Sequence, residues 1–213
     1  MAHDRLPPEP KNPDAGRTPA PLGPERLGVA DAPLSTDELA DRIAEIALLR
    51  GEFTLRSGRT SRYYLDKYRF TTRPELLAPL GRAFAERIRA LGGDTSPPDR
   101  LAGAELGGIP LVTAAALATG LPAVFVRNQK KDYGTAKQLE GVLEPGDRVV
   151  LLEDVATSGG QAIEACKSLE GEGAIIVAVI CTVDRQEGAR EAVEAAGYRF
   201  ESLLTKSDLG IDE

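Results

Sequence analysis

The sequence predicts an α/β fold in which helices flank both faces of a parallel sheet, and three observations support this prediction. Between about residues 100 and 204, apolar segments of strand length alternate with segments of helical periodicity. Strands that alternate with helices form parallel sheets covered on both faces. The run Val149–Leu152 is entirely apolar, as expected for a strand buried on both sides. A composition of 42% hydrophobic and 28% charged residues suits a folded domain.

Local signals predict the individual elements in chain order. Ser35–Glu38 has the pattern of a capping box, so a helix is expected from Ser35 to a stop at Gly51. Two strands are expected between Phe53 and Phe70, around a turn at Ser57–Gly58. The later elements are expected as a helix from Pro74 to the glycines at 92–93, strands at 100–103, 123–127, 148–153, 174–183 and 199–204, and helices at 107–118, 161–170 and 188–196.

Residues 1–33 are expected to form a disordered tail, followed by a single domain at 34–213. The tail holds eight of the fifteen prolines and few large apolar side chains. Such a segment buries too little apolar surface to offset the entropy lost on folding.

The composition excludes several classes of function. A net charge of −7 and a pI near 5.0 disfavour non-specific DNA binding and polybasic membrane anchoring, and the absence of Trp disfavours stacking of single-stranded nucleic acid. The charge and the absence of Trp therefore argue against a nucleic acid partner. No apolar run has the length of a membrane helix, so no membrane partner is expected, and the expected location is the cytoplasm. The single histidine, His3, excludes a histidine catalyst from the core, and Cys166 and Cys181 do not make a disulfide framework.

The most informative segment follows the buried strand at 148–153. Glu153 and Asp154, here called the acidic pair, end this strand. The anion loop that follows consists of Val155, Ala156, Thr157, Ser158, Gly159, Gly160 and Gln161. Small residues, two hydroxyls and a helix N-terminus provide donors for a phosphate, and the acidic pair suits the hydroxyls of an attached sugar. The alternative is a tight strand-to-helix turn with an acidic N-cap.

A long polar segment at 127–135, here called the lid, contains the three cations Arg127, Lys130 and Lys131. Long loops in compact domains are often lids, and these cations can balance the charge of an anionic leaving group. The alternative is a solvated run of charges.

Two further segments follow predicted strands. Gly107 and Gly108 stand at a strand-to-helix junction, where their backbone can approach a pyrophosphate; close helix packing is the alternative. Arg185 follows the strand at 174–183 and can donate to a carbonyl or carboxylate, whereas a surface pair with Asp184 is the alternative.

The order of these segments resembles that of type I phosphoribosyltransferases, and in particular of orotate phosphoribosyltransferases. The strand, acidic pair and anion loop resemble the family signature for phosphoribosyl pyrophosphate (PRPP). The segments 53–61 and 63–66 resemble the N-terminal hood that covers the pyrimidine, and 183–188 resembles the Asp-Arg-Gln-Glu motif. The lid resembles the family's mobile catalytic loop through Arg127, Lys131, Asp132, Tyr133 and Gly134, with Asn128 at a position that is usually basic.

The resemblance implies a type I phosphoribosyltransferase-like parallel sheet with a small N-terminal hood at about 34–72. It implies Mg²⁺-dependent transfer of phosphoribosyl from PRPP to orotate, which gives orotidine 5′-monophosphate and pyrophosphate in de novo pyrimidine (UMP) biosynthesis. It also implies that PRPP and water hold most of the Mg²⁺ coordination, and that the lid reaches the neighbouring site of a homodimer.

The resemblance also assigns roles to individual residues. Catalytic roles are implied for Lys131, Glu153 and Asp154. PRPP binding is implied for these three residues, for the anion loop, and for Arg127, Asn128, Tyr133, Gly107 and Gly108. Orotate binding is implied for Arg56, Tyr64, Leu65, Thr157 and Arg185. Another base-specific phosphoribosyltransferase and a non-catalytic PRPP- or nucleotide-binding regulator remain as alternatives.

Overall fold

The structure is a computed structural model that describes residues 34–54, 58, 60–91, 97–128 and 138–211. The predicted tail at 1–33 lies outside these residues. So do most of the predicted hood turn, including Arg56, and the lid after Asn128, including Lys131 and Tyr133.

A six-stranded sheet flanked by helices confirms the predicted α/β class. Its strand order is β5-β4-β3-β6-β7-β8, and every neighbouring pair is parallel except β4 and β5. The strands are β3 (Arg100–Ala104), β4 (Ala123–Val126), β5 (Leu139–Glu140), β6 (Arg148–Ala156), β7 (Ile175–Asp184) and β8 (Phe200–Thr205). The flanking helices are α3 (Pro74–Ala90), α4 (Gly108–Thr119), α5 (Gly160–Gly171) and α6 (Ala189–Ala195).

The apolar core lies on both faces of this sheet. Because successive strand residues face opposite sides, Leu152 packs in the cluster that includes Leu80 and Leu111, whereas Leu151 packs in the cluster that includes Cys166 and Leu169. The fully apolar run in β6 is therefore the consequence of burial on both faces, as the sequence predicts.

The strand register determines which chain segments meet at one edge of the sheet. Gly103 of β3 pairs with Leu152 of β6, and Ala156 of β6 pairs with Asp184 of β7. Because the three strands are parallel, the loops after β3, β6 and β7 all leave from the same edge. Open α/β sheets bind ligands at this edge.

The N-terminal part of the domain comprises α1 (Thr36–Ala47), the antiparallel hairpin of β1 (Leu48–Thr54) and β2 (Thr60–Leu65), and the short helix α2 (Lys67–Thr71). The predicted capping box is confirmed, since Ser35 Oγ accepts from the Glu38 N–H and the Glu38 carboxylate accepts from the Ser35 N–H. The helix ends before the predicted stop at Gly51, because Leu48 begins a strand that pairs with Leu65.

The predicted strand up to Phe70 is also wrong in its last part. Asp66 accepts from the Tyr68 N–H and caps α2, so the chain turns into a helix where the sequence predicts extended backbone. Among the helices that the structure describes, none has both the length and the apolar character needed to cross a membrane.

Candidate active site

The anion loop connects β6 to α5 and lines a pocket with an empty volume of about 300 Å³, part of it open to solvent. Strand β6 continues to Ala156, three residues past its predicted end, so only Thr157, Ser158 and Gly159 lie between strand and helix. Gly159 has a φ of 76°, and a Cβ there would lie 2.9 Å from the Val193 side chain. The first N–H groups of a helix have no acceptors within the helix, so the start of α5 offers donors at this pocket.

The acidic pair is buried at the end of β6, with relative exposures of 8% for Glu153 and 1% for Asp154. Glu153 lines the pocket of the anion loop, and its Oε1 accepts from the Asp154 N–H at 3.2 Å. Glu153 Oε2 has no hydrogen-bond partner among the described residues. Burial, followed by the negative charge of Asp154, raises the pKa of Glu153 well above its ordinary value.

Asp154 faces the hood instead of the anion-loop pocket. Its Oδ1 accepts from the Val155 N–H, and its Oδ2 lies 2.8 Å from Lys67 Nζ, in an ion pair without hydrogen-bond geometry. Burial lowers the pKa of Lys67, but its interactions with Asp154 and other nearby groups together raise it by more. Lys67 was not predicted as a site residue, because no local pattern marks a lysine that only the fold brings to the acidic pair.

Gly107 and Gly108 place the turn before α4 directly against the end of β6. A Cβ on Gly107 would lie 1.5 Å from Asp154 Oδ2, and a Cβ on Gly108 would lie 3.0 Å from the Leu152 carbonyl oxygen. Both glycines therefore permit close packing, which is the alternative considered for them. The same packing leaves the backbone of this turn beside the acidic pair.

The first residue of the lid, Arg127, is joined to Gln138, which follows the lid in the chain. The Arg127 N–H donates to the Gln138 carbonyl, and the Gln138 side-chain amide donates to the Arg127 carbonyl. The Arg127 guanidinium pairs with Glu140 at 3.3 Å, and the Asn128 N–H donates to the Glu105 carboxylate at 2.7 Å. Arg127 and Asn128 thus have partners other than the acidic pair.

Arg185 connects the end of β7 to the hood. It donates to the Tyr63 hydroxyl at 2.9 Å, lies over the Tyr63 ring at 5.2 Å from its centroid, and pairs with Glu187 at 2.8 Å. Asp184 is buried and accepts from the Gln186 N–H, so Arg185 has other partners than the surface pair considered as an alternative. The sequence analysis missed Tyr63.

The other predicted orotate-binding residues have different environments. Tyr64 lies on the opposite face of β2 from Tyr63, where its ring centroid is 5.7 Å from that of Phe53. The Leu65 side chain is buried in the core. Thr157 is partly exposed in the anion loop. Across the described part of the chain, no group of three or more His, Cys, Asp or Glu residues could hold a metal ion.

Residues 69–199, which include the acidic pair, the anion loop and Arg185, match the family model of the phosphoribosyl transferase domain. The fold and the site are those of a phosphoribosyltransferase. The orotate phosphoribosyltransferase of Natronomonas pharaonis is 46% identical over 180 residues, which cover 84% of this chain and 99% of the relative. That of Halobacterium salinarum is 44% identical over 176 residues, covering 82% and 97%.

Solved structures give the same relationship. The orotate phosphoribosyltransferase of Mycobacterium tuberculosis in complex with PRPP is 35% identical, with a TM-score of 0.69 over 83% of this chain and 99% of that one. That of Aeropyrum pernix is 32% identical, with a TM-score of 0.70 over 81% and 96%. The chain belongs to the orotate phosphoribosyltransferase family.

Proposed function

We propose that this protein transfers the phosphoribosyl group of PRPP to orotate, giving orotidine 5′-monophosphate and pyrophosphate in pyrimidine (UMP) biosynthesis. The main observation that supports this proposal is the position of the acidic pair directly before the anion loop. Buried carboxylate oxygens suit the hydroxyls of a ribose, and the adjacent helix N-terminus suits its 5-phosphate. A phosphoribosyl group carries both the ribose hydroxyls and the 5-phosphate, so it can meet the acidic pair and the anion loop together. The relatives that are named orotate phosphoribosyltransferases support the choice of base.

The substrate supplies donors for a buried oxygen of the acidic pair. Glu153 Oε2 has no hydrogen-bond partner among the described groups, and a ribose hydroxyl can donate to it. A buried acceptor without a donor costs roughly 1–3 kcal/mol, so filling it favours sugar binding. The 5-phosphate then accepts from the N–H groups and hydroxyls of the anion loop, including those of Thr157 and Ser158.

The reaction breaks the C1–O bond of PRPP, and the electron pair of that bond goes to the pyrophosphate. A ring nitrogen of orotate forms the new bond to C1 and gives its proton to an oxygen of the departing pyrophosphate, so the nitrogen needs positioning more than activation. Arg127, Lys131 and the backbone of Gly107 and Gly108 stabilise the charge that develops on the pyrophosphate. The lid, with Asn128 and Tyr133, closes over PRPP and excludes the water that would hydrolyse it.

Orotate binds between the hood and the end of β7. Arg185, held by Tyr63 and Glu187, donates to the carboxylate or a carbonyl of the base. Arg56 provides a second positive charge, and Thr157 adds a contact from the anion loop. Tyr64 and Leu65 are proposed to meet the base through their backbone, because the Tyr64 ring lies beside Phe53 and the Leu65 side chain is in the core.

The acidic pair also fits a role with Mg²⁺. Two adjoining carboxylates, one with an unpartnered buried oxygen, cannot enclose an ion, but they suit an ion whose other ligands are water and substrate oxygens. Glu153 and Asp154 would contact its water ligands. Bound in this way, Mg²⁺ supplies positive charge to the pyrophosphate.

The proposed activity is tested by the loss of orotate absorbance in the presence of PRPP and Mg²⁺. Orotate should be consumed only when both are present, and a chelator should stop the reaction. Uracil, hypoxanthine and adenine serve as parallel substrates. Faster turnover of a purine base than of orotate would assign the protein to another base-specific phosphoribosyltransferase, and PRPP binding without turnover of any base would favour the regulator.

We further propose a cytoplasmic homodimer in which the lid acts at the neighbouring site. The resemblance of the lid to the family's mobile loop, which reaches the neighbouring site, supports this proposal. The contacts of Arg127 with Glu140 and of Asn128 with Glu105 hold the start of the lid. Lys131→Ala should lower kcat by about 10²-fold, and Lys130→Ala should lower it far less.

Mixing Lys131→Ala subunits with Asp154→Asn subunits should restore activity if the lid crosses the interface. Mixed dimers that stay inactive would place each lid at its own site.

A further inference from the structure

Lys67 is a cation of the hood that lies at the acidic pair. It is the first residue of α2, and its Nζ lies 2.8 Å from Asp154 Oδ2. Asp154 is 1% exposed in this pair, whereas the Lys67 side chain is 34% exposed. The lysine therefore extends from the surface of the hood to a carboxylate inside the site.

We propose that Lys67 is a further catalytic residue of this protein, whose ammonium binds the pyrophosphate that leaves C1 of PRPP. This inference rests on the proposed function, and it adds to the cations of the lid a cation that is in place before the lid closes.

The position of Lys67 follows from an oxygen atom that two chain segments share. Asp154 Oδ2 contacts the ammonium of Lys67. The same oxygen lies only 1.5 Å from the position that a Cβ on Gly107 would take. The ammonium is therefore beside the Gly107–Gly108 turn, whose backbone is proposed to meet the pyrophosphate.

The chemistry of PRPP places its leaving group in the same region. Asp154 is proposed to hold a ribose hydroxyl, and the C2 hydroxyl is attached next to C1, the carbon that carries the pyrophosphate. A cation on the carboxylate that binds this hydroxyl is consequently within reach of the oxygen that leaves C1. The ammonium of Lys67 has three N–H donors and one carboxylate neighbour at 2.8 Å, so donors remain for the substrate.

Charge gives a second reason for the assignment. PRPP carries several negative charges, and the buried carboxylate of Asp154 at its binding site would repel it. Lys67 offsets the charge of Asp154 and attracts the pyrophosphate. In the transfer step the C1–O bond breaks, its electron pair stays on the pyrophosphate, the orotate nitrogen forms the new bond to C1, and the proton of that nitrogen passes to a pyrophosphate oxygen. Lys67 keeps its proton throughout and contributes only its charge and hydrogen bonds.

The experiment compares Lys67→Met with Lys167→Met, in which an exposed lysine of α5 outside the site is changed in the same way. Calorimetry measures the Kd of inorganic pyrophosphate, and the absorbance assay measures kcat and the KM for PRPP and for orotate. Lys67→Met should weaken pyrophosphate binding at least tenfold and lower kcat by about 10²-fold, with a smaller change in the KM for orotate. Lys167→Met should behave as the unmodified protein does.

The outcomes separate this inference from the proposed function. Absence of orotate turnover by the unmodified protein would refute the proposed function, whereas the pyrophosphate Kd of Lys67→Met would still report on Lys67. An active unmodified protein, together with a Lys67→Met variant that binds pyrophosphate normally and is only less stable, would reduce Lys67 to a structural counter-ion of Asp154.

A second measurement applies if Lys67→Met does not fold. The unmodified protein is acetylated at its lysines, and mass spectrometry follows the rate at Lys67 with saturating pyrophosphate or with saturating ribose 5-phosphate. Pyrophosphate should protect Lys67 much more than ribose 5-phosphate does. Equal rates with the two compounds would overturn the inference.

Discussion

The two carboxylates at the end of β6 have different environments although they are adjacent in the chain. Glu153 lines the pocket of the anion loop and retains a buried oxygen without a partner, whereas Asp154 faces the hood and is paired with Lys67. Adjacent strand residues face opposite sides of a sheet, so one strand end serves two regions of the site. The uncompensated carboxyl is that of Glu153, and its protonation should therefore affect stability.

Replacing Glu153 with Gln should remove a pH-dependent loss of stability. Burial and the charge of Asp154 raise the pKa of Glu153 in the folded protein above its ordinary value of 4.5. Because the raised pKa belongs to the folded state, the contribution of this carboxyl to stability is complete below about pH 4.5 and is lost as the pH rises through the folded-state pKa. The Tm of Glu153→Gln relative to the unmodified protein should consequently increase from pH 5 to pH 9.

Thermal unfolding without ligand at pH 5, 7 and 9 measures this difference. Glu164→Gln, an exposed change in α5 that removes the same charge, is the control. Parallel Tm curves for Glu153→Gln and the unmodified protein would contradict the assignment of a raised pKa to Glu153.

Gly107 is the second residue at which the structure makes a sharp prediction. Its φ is −75°, so alanine fits the backbone conformation, but the added Cβ would lie 1.5 Å from Asp154 Oδ2. Gly107→Ala must displace that carboxylate from its contact with Lys67. We expect kcat/KM to fall at least tenfold and the free energy of unfolding to fall by about 1–3 kcal/mol, the usual cost of overpacking.

Gly171→Ala is the matched control, because a Cβ there meets no atom within 4 Å. Its stability should equal or slightly exceed that of the unmodified protein, since alanine favours a helix more than glycine does. Unchanged kcat/KM in Gly107→Ala would show that the position of Asp154 is not critical.

At the scale of elements, local signals in the sequence predicted the helices and strands whose periodicity is long. The long helix α3 and the buried strand β6 are examples, as is the start of α1 at its capping box. The end of α1 could not be predicted in this way, because Leu48 leaves the helix to pair with Leu65, a residue distant in sequence. The two-residue strand β5 has no periodicity to detect, and it exists through its pairing with β4.

The hood hairpin shows the same limit at its pair of tyrosines. The sequence pattern indicates an aromatic pair, but only the register of β2 against β1 decides which ring faces Arg185. It is Tyr63, whereas Tyr64 lies beside Phe53. The hydrogen bond between the hood and the end of β7 is therefore made by a hydroxyl that the sequence did not single out.

Tyr63→Phe should raise the KM for orotate about tenfold and leave the KM for PRPP nearly unchanged. The change removes the hydroxyl that accepts from Arg185 at 2.9 Å, and hydrogen bonds to charged groups contribute about 1.5–3 kcal/mol. Tyr198→Phe removes a tyrosine hydrogen bond to Glu170 at 2.8 Å, away from the site, and should change neither KM. Steady-state kinetics with each substrate varied in turn decide the matter, and equal effects on both KM values would mean that Tyr63 supports the site as a whole.

At the scale of the whole molecule, the site depends on topology more than on any one motif. The acidic pair, the anion loop and Arg185 were predictable, because each directly follows an apolar strand and carries chemistry that strand ends display. Lys67 was not predictable, since its role depends on the contact of the hood with a carboxylate of β6. The lid after Asn128 lies outside the described residues, so the roles assigned to Lys131 and Tyr133 rest on sequence alone.

Deleting residues 1–33 should leave folding and turnover nearly unchanged. The capping box that begins α1 is complete within Ser35–Glu38, and Leu34, which packs against the core, is retained. A relative is matched over 99% of its length by 180 residues of this chain, so a family member has little beyond the domain itself. The Tm and kcat/KM of the 34–213 protein should stay close to those of the full chain. A Tm lower by several degrees, or a tenfold loss of kcat/KM, would mean that the tail stabilises the domain through Leu22, Leu27 or Val29, the larger apolar residues near its end.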